Sequence, residues 1–252
     1  MGGDMTIVQH PSPNFSRGRA NGMIPDMVVC HITGGSFPGS INWITNPQSQ
    51  VSYHFTISGA GAIAQHVQVR DTAWANGTRT TPGDPRNHRY SALETVRSRS
   101  TNANAYTVSI GFEGQPIQNG NHLTQAQLSS AIWLVGHIRD EIRRIYGITM
   151  PVNAKTIVGH AHIVPRWKPS CPGRDFPFDE IIAAVNGDNG NSGANMNFVR
   201  QNIRLNGVRY NFDSINHNGT LYVPIRDIFT AIGATVKWDS ANREAVVNMP
   251  QV

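Results

Sequence analysis

The segment Ile157–Gly173, IVGHAHIVPRWKPSCPG, decides how the chain is read. Its first residues are strand-like and end at Gly159, and His160 and His162 follow at once. A loop stiffened by Pro165, Pro169 and Pro172 then delivers Cys171. Imidazole nitrogen and thiolate sulfur are ligands that zinc prefers. On an extended strand His160 and His162 would face opposite ways, so only one of them is expected to reach a shared ion. Two ligands do not complete a site, and a third must come from elsewhere in the chain.

Upstream, Met27–His31 (MVVCH) is a short apolar run suited to a buried strand, and Gly34-Gly35 supplies the turn after it. A lone histidine at a strand end is ordinarily hydrogen-bonded near the turn. With His160 and Cys171 for company, His31 becomes a candidate ligand. The chain holds two cysteines, Cys30 and Cys171. A single disulfide is the plain reading, but their placement beside histidines points to metal chemistry instead.

Val51–Ile57 alternates as a strand should, and Ala62–Val69 returns as its hairpin partner across Gly59-Ala60-Gly61. Tyr53 and His54 fall on opposite faces, so either one reaches a site while the other packs inside. Asp71–Tyr90 is polar, with Trp74, an Asn76-Gly77 turn and Pro82-Gly83, and reads as a surface loop that shapes a groove. Tyr106–Phe112 is a further strand followed directly by Glu113, a carboxylate that belongs either to a solvent edge or to a cleft.

Helices are predicted at Ser40–Thr45, Ser91–Ser100, Thr124–Tyr146 and Phe178–Val185. The third is the clearest: Thr124 and Gln127 have capping-box spacing, Leu128, Ile132, Val135, Ile142 and Ile145 mark one apolar face, and Gly147 stops it. Strands and helices alternate, which predicts an α/β fold with a mixed central β-sheet flanked by helices over residues 1–185. Residues 186–196 then read as a flexible linker, since Asn186–Asn195 (NGDNGNSGAN) is nearly all Gly, Asn, Asp and Ser. Residues 197–252 predict a small α+β domain, with a hairpin at Asn206-Gly207, a helix over Pro224–Ile232 and His217 in a loop.

With 39% hydrophobic and 15% charged residues, the composition is that of a globular protein rather than a disordered one. The formal charge of +5, spread without a dense basic run, favours an anionic partner without choosing among wall polymer, membrane surface and nucleic acid. No apolar run approaches the length of a membrane span. The first residues lack the basic and apolar regions of a signal peptide, so export is expected to take another route.

Four segments in order, MIPDMVVCHITGG, VSYHFTISGAGAIAQHV, YTVSIGFEG and IVGHAHIVPRWKPSCPG, resemble the zinc-dependent N-acetylmuramoyl-L-alanine amidases of the type 2 family, which includes phage endolysins and peptidoglycan recognition proteins. NIRLNGVRYNF and LYVPIRDIFTAIGATVKWDSANREAVV resemble the copper amine oxidase N-terminal-like module, found appended to wall-associated bacterial proteins; the segment offers no copper ligand set. The first resemblance implies His31, His160 and Cys171 as ligands of one Zn2+, leaving a fourth position for water. It implies Glu113 as general base and Tyr53 as a hydrogen-bond donor to the developing oxyanion. The lysine usual two residues before the third ligand is here Pro169, and Lys168 is the candidate to replace it. Trp74 lies in TAWANG, where many members have AWHAG, so Ala75 stands in place of a histidine; Trp74 itself is either structural or substrate-binding. The implied reaction is hydrolysis of the amide between N-acetylmuramic acid and L-alanine in bacterial peptidoglycan, with no nucleic acid partner. It implies action at the cell wall, with the small C-terminal module expected to hold the enzyme there, and the missing signal peptide fits holin-assisted release. A metal-bearing module that binds wall without cleaving it, a thiol hydrolase with Cys171 as nucleophile, and an amidase of soluble muropeptides are the competing readings.

Overall fold

The computed structural model describes residues 5–114, 122–187, 199–205, 208–217, 220–222, 225–239 and 244–249. The chain forms two compact units, Met1–Asp188 and Asn189–Val252. From Asp188 onward the expected linker lies outside the described residues.

The first unit begins with two short strands, β1 (Ile7–Gln9) and β2 (Phe15–Ser16). Then come β3 (Met27–Ile32), α1 (Phe37–Thr45), β4 (Phe55–Ile57), β5 (Ile63–Gln65) and β6 (Thr72–Ala73). It continues with α2 (Glu94–Ser98), β7 (Thr107–Phe112), α3 (Gln125–Tyr146), β8 (Ile157–Gly159), α4 (His160–Ile163) and α5 (Phe178–Asn186). Six strands make one sheet in the order β1-β5-β4-β7-β3-β8. Only the β4–β5 hairpin pairs antiparallel in it. This is the mixed sheet expected from the alternation of elements. β1 is too short to carry a sequence signal, and it extends the sheet by pairing with β5.

Every residue of β3 and β7 is buried, as in a parallel sheet covered on both faces. On one face Val28, Cys30, Ile110 and Phe112 pack under Leu134, Ile138 and Ile142 of α3 and Ile181 of α5. Each of those buried aliphatic side chains contributes about 1.5–3 kcal/mol of hydrophobic free energy. On the other face Met27 and Val29 meet Val96, Ala103, Tyr106 and Ile163. α3 starts with the capping box, Thr124 accepting from the Gln127 amide, and ends at Gly147 in the left-handed region.

The parallel direction brings the C-terminal ends of β3, β7 and β8 to one edge, where α/β sheets place ligands. His31, Glu113 and His160 all sit there. The segment after Gly159 departs from expectation: His160 and His162 lie on the helical turn α4, not on an extended strand.

In the second unit β9 (Val199–Leu205) pairs antiparallel with β10 (Val208–His217), and β10 with β11 (Thr220–Tyr222). α6 (Ile225–Ala231) precedes the antiparallel pair β12 (Thr235–Asp239) and β13 (Glu244–Asn248). Leu205 pairs with Val208 across the expected hairpin, whose turn residues lie outside the described ones. His217 ends β10, paired with Thr220, and is not in a loop.

Candidate metal centre

His31, His160 and Cys171 offer donor atoms that all lie within 4.8 Å of one another. The His31 and His160 ring centroids are 4.5 Å apart, edge to face. Cys171 Sγ is 3.9 Å from His31 Nδ1. Two ligands of one tetrahedral zinc, with bonds of about 2.0 and 2.3 Å, are about 3.5 Å apart, so this pair needs a shift of only a few tenths of an ångström. Among the described residues no other group of three histidine, cysteine or acidic side chains converges in this way.

The electrostatics suit a metal. Burial, then His160, hold His31 well below the usual histidine range, against the influence of the Asn76 side chain. Burial and Lys168 push His160 down to about 3. Both imidazoles are therefore neutral near pH 7, with lone pairs available to an ion. Burial pushes the Cys171 thiol up to about 11, opposed by the Ile32 backbone N–H and by Lys168. That N–H donates to Cys171 Sγ over 3.4 Å, the contact a thiolate ligand would strengthen.

The loop carrying Cys171 is seated on the end of β8 and the start of α4, which carries His160. Ala161 N–H donates to Cys171 O (2.8 Å), and Gly159 N–H donates to His162 Nδ1 (3.0 Å). His162 thereby turns away toward Phe178, with ring centroids 5.7 Å apart. One histidine of the pair faces the site, as expected, but a helical turn rather than strand alternation separates the two.

Cys30 and Cys171 are both free. Cys30 packs in the core beneath α3, on the face of the sheet opposite His31. The disulfide reading of the two cysteines is thereby excluded.

The donors lie in a cleft of about 590 Å³ that Tyr53, Trp74, Ala75 and Lys168 also line. The Tyr53 ring centroid is 4.9 Å from that of His31, while His54 is fully buried on the inside. Trp74 donates its indole N–H to Ser16 Oγ over 3.0 Å. Lys168 enters the cleft beside Pro169 and is close enough to bear on His31, His160 and Cys171 alike. Glu113 stands apart: Oε1 accepts from Phe37 N–H (2.7 Å) and Oε2 from Gly59 N–H (2.5 Å), and it is not among the cleft-lining residues. The carboxylate ties the start of α1 to the β4–β5 turn.

Residues that pattern did not single out also shape the site. Trp43 and Trp167 line the cleft with 58% and 50% of their surface exposed, enough to offer open aromatic faces. Arg86 lies 5.2 Å over the Trp167 ring, which joins the 71–90 loop to the Cys171 loop. Asn76, read from sequence as half of a turn, is fully buried beside His31. Its neighbours in TAWANG carried the only available signal.

A sequence profile described as N-acetylmuramoyl-L-alanine amidase matches residues 21–174, and one described as copper amine oxidase N-terminal domain matches residues 204–252. N-acetylmuramoyl-L-alanine amidase A of Achromobacter lyticus is 26% identical over 175 residues, 65% of this chain and 85% of that protein. Among solved structures, a selenomethionine derivative of AmpD is 23% identical with a TM-score of 0.47, covering 71% of this chain and 94% of the other. The endolysin N-acetylmuramoyl-L-alanine amidase LysCS of Clostridium intestinale is 23% identical with a TM-score of 0.45, covering 72% and 95%.

Proposed function

The chain belongs to the N-acetylmuramoyl-L-alanine amidase family, and from that membership we propose that it is a zinc-dependent hydrolase of the bacterial cell wall. Its substrate is the amide that joins the lactyl group of N-acetylmuramic acid to L-alanine of the stem peptide. The observation that carries this reading is the convergence of His31 with His160 and Cys171, from two distant segments of the chain, in the cleft.

His31, His160 and Cys171 would hold the zinc through two neutral nitrogens and one sulfur. Zinc, when bound, polarises the scissile carbonyl and supplies a water acidic enough to attack near neutral pH. Tyr53, whose ring packs against that of His31, would donate its hydroxyl to the oxygen that gains charge. Lys168 adds positive charge on the same side and takes the part of the lysine that Pro169 displaces. Trp74, with Trp43 and Trp167, offers aromatic surface to the sugar and peptide along the cleft.

Proton transfer from the water to the leaving amine is assigned to Glu113, each of whose oxygens accepts one backbone amide and keeps a second lone pair. A bracing role for Glu113 is favoured by those same bonds. Glu113→Gln separates the two: loss of the acidic limb of the pH–rate profile marks a base, whereas an unchanged profile with lower stability marks a brace.

A thiol nucleophile is disfavoured. It needs a depressed thiol beside a protonated imidazole, and Cys171 and His160 are shifted the opposite way. Residues 197–252 are assigned to holding the enzyme on the wall, consistent with their small α+β form.

Digestion of purified peptidoglycan tests the reading. New L-alanine amino termini without new reducing ends are expected, abolished by chelation and restored by Zn2+. Release of reducing ends without new amines would overturn it.

A further inference from the structure

Asn76 is fully buried, and its side chain is fixed from several sides. Its Nδ2 donates to Thr107 Oγ1 (2.9 Å) and to Ser109 Oγ (2.8 Å). Its backbone N–H donates to Asn104 Oδ1 over 2.5 Å. The orientation of the amide follows from chemistry. Thr107 spends its hydroxyl proton on Ala103 O (2.8 Å), so toward Asn76 it can only accept, and the group facing it must be the NH2. Asn76 Oδ1 therefore points the other way, and that buried oxygen has no hydrogen-bond partner.

A second buried atom without a partner is His31 Nε2. Parallel register relates the two residues. β7 presents Thr107, Ser109 and Gly111 level with Met27, Val29 and His31 of β3. Asn76 sits over Thr107 and Ser109, one step below the His31 ring, while Tyr53 occupies the space over Gly111. The Asn76 side chain is near enough to favour a proton on His31, although neither atom reaches hydrogen-bond geometry. Two buried polar atoms left without partners cost free energy that a modest rotation of the His31 ring toward Asn76 would recover.

We propose that Asn76 is the positioning residue of the metal centre: its Oδ1 accepts the Nε2 proton of His31 and so fixes the tautomer that leaves Nδ1, the nitrogen facing Cys171, for the ion. This rests on the zinc reading above. Metal-ligating histidines almost always donate their other ring N–H to such an acceptor, and loss of the acceptor typically lowers metal affinity about 10–100-fold. A zinc held by His31, His160 and Cys171 would acidify the His31 ring N–H and so would strengthen its bond to Asn76 Oδ1.

The test uses the full-length protein and Zn2+ in competition with a chromophoric chelator. Asn76→Leu, which removes the Oδ1 acceptor, is expected to weaken zinc binding about 10–100-fold. In 1H–15N spectra of the zinc-loaded wild type, His31 is expected to be metallated at Nδ1, with a slowly exchanging Nε2–H. This second measurement decides the matter if Asn76→Leu fails to fold. Unchanged affinity in folded Asn76→Leu, or zinc on His31 Nε2, would overturn the proposal while leaving the hydrolase reading intact. A wild-type chain that takes up no zinc would overturn both.

Discussion

Gly159 and Pro172 are in contact so close that a Cβ on Gly159 would stand 2.5 Å from Pro172 Cδ and 3.2 Å from Cys171 O. The strand that ends at Gly159, just before His160, and the loop that delivers Cys171 are thus seated on each other through a bare backbone. Gly159→Ala must push that loop outward. The expected result is a loss of zinc affinity of tenfold or more, with a stability cost of about 1–3 kcal/mol from overpacking, read by chelator competition and urea unfolding.

Gly111 bears the same relation to Tyr53, since a Cβ there would meet the Tyr53 ring at 2.7 and 2.8 Å. Tyr53→Phe is expected to leave zinc affinity unchanged and lower kcat on muropeptide by about 10²-fold, the effect of removing one donor to a developing oxyanion. Gly111→Ala should lower kcat by displacing the ring that Tyr53→Phe merely strips of its hydroxyl. Steady-state kinetics on both variants checks this.

Acid should weaken the fold through histidines remote from the metal. His66 accepts from Thr56 Oγ1 at Nε2 (2.8 Å) and donates from Nδ1 to His10 O (2.9 Å), and burial pushes it down to about 4. His54, fully buried, accepts from the Ser109 N–H and is lowered by burial first and Arg19 next. The unfolded chain takes up protons below about 6.5 while these rings stay neutral in the fold, so stability is fullest above that pH and falls as pH drops toward 4. His66 alone accounts for about 2 kcal/mol at pH 5. Urea unfolding in the presence of chelator at pH 7 and pH 5 measures the difference, and His66→Gln should reduce it.

Removal of the second unit should divide the two functions proposed for the chain. A protein ending at residue 188 is expected to keep its zinc affinity and its rate on soluble muropeptide, and to lose binding to wall sacs. Sedimentation with purified sacs and a soluble-substrate assay, run side by side, check both halves.

Much of the first unit is legible in the sequence because its signals are local. The capping box at Thr124 and the apolar runs of β3 and β7 each specify their element without help from distant residues. The candidate ligands were legible for a different reason, since His31, His160 and Cys171 stand at strand ends or in a stiff loop where side chains reach a cleft. What escaped depends on tertiary contact. β1 exists because β5 offers an edge, and α4 bends out of the strand because the Cys171 loop holds the Ala161 amide. Asn76 reads as half of a turn until Thr107 and Ser109 are seen to hold its amide. The two hydrogen bonds that occupy Glu113 likewise come from α1 and from the turn after β4, neither of which its own strand reveals.

The most direct test is zinc content measured together with peptidoglycan cleavage in the wild type, Cys171→Ser and Cys30→Ser. Zinc close to one per chain with new L-alanine amino termini is expected for the wild type and for Cys30→Ser, and neither zinc nor cleavage for Cys171→Ser. Cleavage that persists in Cys171→Ser, or in wild type stripped of metal, would contradict the assignment of His31, His160 and Cys171 as the centre on which hydrolysis depends.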